Sequence, residues 1–195
     1  MVLDKDEVAQ QEIMLQAQKF FQQYGLKKTT MDEIATACGK SKSTIYQYFA
    51  SKDDLFDAVI YMELVSLRKH VKDRVASGKN MQDKLTIYLV EFYQEVIHRT
   101  NLYRILIQEN MAETLAKKYF FKMVNFEKSY IIRIIEDGHD SGECSGVDQN
   151  DISWIAETLL AAFYGVIQLV VVSGGKFEDK RFARAVNLIL TKIFS

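Results

Sequence analysis

The chain has 195 residues, of which 48% are apolar, too many for a disordered polymer and enough to build a core. Its 25 Lys and Arg nearly balance 26 Asp and Glu, so the net charge of −1 excludes a global attraction to nucleic acid or membrane and leaves only local patches. With no proline, the sequence argues against a sandwich or barrel of many turns and for helices.

Periodicity near 3.6 runs through the chain. The first predicted helix spans about Glu7 to Tyr24, with Ile13, Ala17, Phe20, Phe21 and Tyr24 on one face and Gly25 placed to end it. Thr30-Met31-Asp32-Glu33 is a capping box that opens a short helix carrying Ile34, Ala35 and Cys38 and stopping at Gly39. Ser41 can cap a third short helix through Phe49. Ser51 starts a longer one from about Lys52 to Val75. Beyond the turn cluster Ser77-Gly78-Lys79-Asn80, helices are predicted from Met81 to His98, from Asn101 to about Glu109 and from Ala112 to Asp137. Gly138 to Gly146 reads as a loop. Asp148 caps a helix to Ser173, Gly174-Gly175 ends it, and a last helix runs from Asp179 to Phe194. The expected fold class is all-α with about nine helices, divided into residues 1–51 and 52–195.

The helices Met31–Cys38 and Lys42–Phe49, joined by a tight glycine turn, have the pattern of a helix-turn-helix. The second is unusual in composition. Lys42, Ser43, Thr44, Tyr46, Gln47 and Tyr48 fill about two turns with hydrogen-bonding groups, while Ile45 and Phe49 are left to anchor it. Such a helix can enter a major groove and meet base edges. Lys27, Lys28, Lys40, Lys42 and Lys52 outnumber Asp32 and Glu33 here, a modest basic patch that must lean on hydroxyls and helix amides as well as lysines. Packing of a small helical domain would use Tyr46, Tyr48 and Phe49 equally well.

At these residues the chain resembles the tetracycline-repressor (TetR) family of bacterial regulators. The resemblance rests on Phe20-Phe21, Tyr24-Gly25, the run Thr29 to Ala35, the run Gly39 to Phe49, and Ser51-Lys52-Asp53-Asp54-Leu55, which together cover about the first sixty residues. It implies a three-helix DNA-binding domain. It also implies that Lys42, Ser43 and Tyr46, with Gln47 beside them, touch bases of a double-stranded operator. Thr30, Thr44, Tyr48 and Lys52 sit at phosphate-contacting positions of the family. Lys40 departs from the pattern, which has an apolar residue there; a lysine stem can cover the same surface with its ammonium in solvent.

The later helices are rich in aromatics, interleaved with Glu91, Glu95, His98, Gln108 and Asn125. An aromatic stripe at helical spacing is either core or the wall of an apolar cavity. The resemblance implies a small-molecule effector here, with Tyr88, Phe92, Tyr103, Tyr119, Met123, Phe126 and Tyr130 as expected lining. The helix from Asp148 to Ser173 is apolar on more than one face and needs partners on several sides. Leu159 and Phe163 lie on one stripe, and Ala161 and Gly165 on another where small residues permit close approach. The last helix adds Phe182, Val186, Ile189 and Ile193. Either both helices complete a monomer core or they meet a second subunit; the resemblance implies a homodimer through these two helices.

An enzyme would need a residue set that the sequence does not nominate: it has no glycine-rich phosphate loop, no Gly-x-Ser-x-Gly elbow and no His-Glu-x-x-His pair. His139, Asp140, Glu143 and Cys144 imitate a metal cluster within the acidic loop, but Cys38 and Cys144 have no neighbours at ligand spacing, and neither metal nor cofactor is expected. The acidic surroundings of Cys144 would raise its pKa, which disfavours a redox-sensing thiol. The acidic N-terminus is no signal peptide, and the apolar run Leu159 to Val172 is shorter than the roughly 18 residues a bilayer span takes, so a cytoplasmic protein is expected. The expected function is a ligand-responsive transcriptional regulator, a repressor binding a pseudo-palindromic operator and released when an effector shifts the helix Lys52–Val75. The rival is a helical ligand-binding or interaction protein of the same fold that has lost specific DNA binding.

Overall fold

A computed structural model describes residues 4–98, 115–173 and 178–194. Among them are eight α-helices and no strand: α1 (Lys5–Lys28), α2 (Met31–Ala37), α3 (Lys42–Tyr48), α4 (Lys52–Val75), α5 (Met81–His98), α6 (Leu115–Asp140), α7 (Ile152–Ser173) and α8 (Asp179–Ile193). The helix expected from Asn101 to about Glu109 lies outside the described residues.

Punctuation residues set most boundaries. α1 starts earlier than expected because the Glu7 carboxylate accepts from the Asp4 amide at 3.0 Å and closes its first turn. It breaks where expected, at Gly25, whose φ of 80° and ψ of 168° suit glycine alone, and then resumes for one turn to Lys28. The Ser51 hydroxyl accepts from the Asp54 amide at 3.0 Å at the head of α4, and the Asn80 side chain accepts from the Asp83 amide at 2.7 Å at the head of α5. Asp148 caps a single 3-10 turn, Gln149–Asp151, that leads into α7.

The end of α6 differs too. α6 does not stop at Asp137 but carries Gly138 inside it and ends at Asp140. A Cβ at Gly138 would lie 2.5 Å from Met81 Sδ. The glycine is there to let the head of α5 approach, not to break the helix.

The chain forms two compact units, and the division falls inside α4, between Val65 and Ser66, rather than before it at residue 52. The reason is burial. Leu55, Phe56 and Val59 complete the core of the first unit with Ile13, Ala17 and Phe21 of α1, Ile34 of α2 and Ile45 of α3. Phe21 and Phe56 meet edge to face at 5.1 Å. In the second unit α5 is the hub and packs on α6, α7 and α8. Its Phe92 and Tyr93 meet Phe163 of α7 at 5.6 and 6.1 Å, and Tyr93 meets Phe182 of α8 at 4.3 Å.

Candidate nucleic-acid interface and ligand groove

In the first unit the helix-turn-helix is built as its sequence spells it. The Thr30 hydroxyl accepts from the Glu33 amide at 3.3 Å, and the Glu33 carboxylate accepts from the Thr30 amide at 2.8 Å. The Thr30 hydroxyl and amide hold the Glu33 carboxyl below its ordinary range. Gly39, at φ 62°, makes the turn. The Ser41 hydroxyl accepts from the Thr44 amide at 3.1 Å and starts α3. Ile45 and Phe49 are buried, which fixes the face of α3 that looks out: Lys42, Ser43, Gln47 and Tyr46, the last 44% exposed. Thr30 is exposed at the N-terminus of α2, and Thr44 is half-buried.

Three basic or phenolic groups already have partners. The Lys42 ammonium pairs with Asp32 of α2 at 2.9 Å, and that carboxylate raises the lysine pKa. The Tyr48 hydroxyl donates to Asp6 of α1 at 3.0 Å, a bond that raises the phenol pKa. Lys40, the departure from the family pattern, pairs with Glu12 of α1 at 3.1 Å instead of pointing into solvent.

The Lys52 ammonium, expected at phosphate, donates to the Leu26 and Thr29 carbonyls at 2.8 and 3.0 Å. Those carbonyls end α1 beyond the Gly25 break and have no helical partner, so the lysine binds the frayed end of α1 to the head of α4.

In the second unit a groove of about 830 Å³ opens between the later half of α4, α5 and α6. Four of the seven expected lining residues, Tyr88, Phe92, Phe126 and Tyr130, form its aromatic wall. Tyr103 lies outside the described residues, as do the side chains of Tyr119 and Met123. None of the expected polar groups with a described side chain is on the groove wall. Glu91 pairs with Arg74 at 3.0 Å, Glu95 lies 3.6 Å from His70, Asn125 is exposed, His98 has no described side chain and Gln108 is outside.

The groove's charges come instead from residues the sequence did not single out. Arg68 of α4 donates from Nε to Glu127 of α6 at 3.1 Å and lies over the Phe126 ring, 4.0 Å from its centre. Glu127 is 1% exposed, and burial pushes its carboxyl up to about 7 against the hydrogen bond and charge of Arg68, which lower it. Arg133 offsets part of the upward shift that burial gives the Tyr130 phenol. The buried Tyr88 hydroxyl has no hydrogen-bond partner among the described residues. A signal was present: Glu127 occupies a place on the buried stripe of Ile131, Ile134 and Ile135, where a carboxylate needs a reason.

The outer faces of α7 and α8 divide the residues expected at a dimer contact. Leu159, Phe163, Phe182 and Val186 are buried within the subunit, so they are core and not free surface. Ala161, Gly165, Ile189 and Ile193 remain exposed. Beside them stand Trp154 at 70% and Leu169 at 71% exposure, with Leu188. Residues Gln149–Val170 are also long and apolar enough to cross a membrane by composition, a longer span than the run from Leu159 suggested, because Ile152, Ile155 and Ala156 extend it.

The acidic loop has structural work. The Glu143 carboxylate accepts from the Met81 amide and caps α5. Cys144 is buried with Sγ 3.8 Å from the Ile135 carbonyl, and burial, with Glu143 beside it, raises its thiol pKa.

Comparison with known proteins agrees with this geometry. Residues 13–59, which span α1 to α4, match the family "Bacterial regulatory proteins, tetR family". The helix-turn-helix transcriptional regulator YhgD of Bacillus subtilis is 30% identical over 139 residues, covering 70% of this chain and 72% of that protein. The regulator UidR of Escherichia coli is 24% identical over 159 residues, covering 80% and 78%. In structure, GusR of Salmonella enterica superposes with a TM-score of 0.75 at 21% identity over 98% of each chain. The match of residues 13–59 and the relative at 30% identity place the chain in the tetR family of helix-turn-helix transcriptional regulators.

Proposed function

We propose that this regulator acts as a homodimeric repressor that reads two operator half-sites with α3 and releases them when a small organic molecule fills the groove of its second unit. The observation that carries the reading is the outward face of α3. Lys42, Ser43, Tyr46 and Gln47 form a row of exposed donors and acceptors on a helix held from behind by Ile45 and Phe49. These four read base edges, while Thr30, Thr44 and Tyr48 take phosphate oxygens. Lys52 positions the end of α1.

The dimer is supported by the apolar surface that α7 and α8 leave uncovered, Trp154, Leu169, Leu188 and Ile189, with Ala161 and Gly165 giving room for close helix approach. A second copy covers this surface symmetrically. Half-sites then lie about 34–36 Å apart or a multiple of it. The effector reading is supported by α4, which begins at Lys52 in the first unit and supplies Arg68, Val71 and Lys72 to the groove. A ligand that prefers one placement of α4 changes DNA affinity by its differential affinity for the two states. Such a protein works in the bacterial cytoplasm.

The test is selection of bound fragments from a random duplex library by protein refolded free of carried-over ligand. A two-fold symmetric motif is expected. Retention without a motif at every salt concentration would instead support an interaction protein that has lost specific DNA binding. Leu169→Glu is expected to sediment as a monomer; sedimentation as wild type would remove α7 from the interface.

A further inference from the structure

We infer that the groove takes an amphipathic monoanion, a carboxylic acid whose apolar body lies along the rings of Tyr88, Phe92, Phe126 and Tyr130 and whose carboxylate is received by a donor set that includes Arg68 and the Tyr88 hydroxyl. The inference rests on the effector reading above and names the chemistry of that site.

Three observations on the groove support it. The first is Arg68. A guanidinium has five N–H donors, and here one of them, on Nε, is taken by Glu127. The terminal nitrogens have no acceptor among the described residues, and the guanidinium carbon lies over the Phe126 ring, 4.0 Å from its centre. An arginine pinned by one donor and a ring face, with its fork open, is prepared for a planar carboxylate. The second is Tyr88. Its side chain is buried, it lines the groove, and its hydroxyl has no partner among the described residues, so a ligand acceptor there removes a desolvation cost the protein otherwise carries. The third is charge. The groove wall has five cations, Arg68, Lys69, Lys72, Lys84 and Arg133, against the carboxylates Asp73, Glu127 and Asp137.

The same features exclude other classes. A cationic ligand would meet the excess of cations on the wall, and the one buried carboxylate there, Glu127, is already held by Arg68. A phosphate dianion would bring a second charge close to Glu127, with two carboxylates more on the wall. A single negative charge on an apolar body fits both the modest excess of cations and the four rings. The volume, about 830 Å³, lies within the usual range for sites of drug-sized ligands, about 300–1,000 Å³.

The experiment is a fluorescence titration of the full-length protein with three matched probes, 1-pyrenebutyrate, 1-pyrenebutanol and 1-pyrenebutylamine. The acid is expected to bind about ten-fold or more tighter than the alcohol, and the amine weakest. Arg68→Gln is expected to bring the ratio of acid to alcohol affinity down to about one. Tyr88→Phe, which removes one oxygen and keeps the ring, narrows the ratio several-fold. An alcohol or amine that binds as tightly as the acid overturns the assignment of charge but leaves the effector groove in place. A preference for the acid that survives both substitutions overturns it too, since the carboxylate is then bound elsewhere. Failure of all three probes to bind overturns the groove as an effector site, and the inference with it.

Discussion

The two units place their polar side chains in opposite ways. In the first, the residues assigned to function stand outside: α3 turns Lys42, Ser43, Tyr46 and Gln47 to solvent, and the core behind them holds apolar side chains such as Ile45 and Phe56. In the second, the charges that matter are inside, with Glu127 1% exposed and Arg68 lying on an aromatic ring. A surface that reads DNA takes little folding stability from its reading residues, so they can vary freely. A groove that receives a small molecule must hold charged groups in a poorly solvated place, so its function and its stability are linked.

This contrast can be broken from either side. The largest effect is expected for Ile45→Ala, which empties the anchor of α3. It should cost about 2–5 kcal/mol in denaturant unfolding and abolish specific DNA binding. An unaltered midpoint would mean that α3 is not held from behind.

Next comes Glu127. Its folded pKa, about 7, lies above the ordinary 4.5, so the folded protein binds more protons between these values. Stability should fall as pH rises through that window, by on the order of 3 kcal/mol in all. Glu127→Gln, which keeps the hydrogen bond to Arg68 without the titration, should flatten the curve. Parallel curves for the two proteins would place the pH dependence elsewhere.

Lys52→Met keeps the stem and removes the ammonium from two carbonyls. It should lower the stability of the first unit by about 2 kcal/mol. Unchanged melting with weaker binding to every DNA sequence would return Lys52 to the phosphate contacts. The smallest effect on stability is expected for Tyr46→Phe: none by thermal melting, with a loss of about ten-fold confined to specific DNA. Equal loss on specific and random DNA would make Tyr46 a backbone contact.

The same contrast decides what the sequence makes legible. The first unit is encoded by neighbours in the chain. The capping box at Thr30, the turn at Gly39 and the break at Gly25 each act within a few residues, and each stands where the pattern placed it. The groove is assembled by residues far apart in sequence. Tyr88, Phe92, Phe126 and Tyr130 are legible by type, whereas the pairing of Arg68 with Glu127 joins residues 59 positions apart and has no local mark on the Arg68 side. Gly138 misled for the same reason. Its local meaning is a helix end, while its tertiary one is room for Met81. Lys52 matched a family position, yet the carbonyls that claim it become available only because α1 breaks at Gly25.

The Lys42–Asp32 ion pair has a consequence for how the protein meets DNA. A lysine on a bare surface displaces a condensed counterion from the duplex when it reaches a phosphate, and salt then weakens the complex steeply. Lys42 arrives with its counter-charge built into α2, 2.9 Å away, and Lys40 likewise with Glu12. Each must leave its carboxylate to displace a counterion from the duplex, or keep it and displace none. The logarithmic salt slope should therefore be shallower than the lysines near α3 suggest, and more of the grip must come from hydroxyls and amides, which salt does not screen.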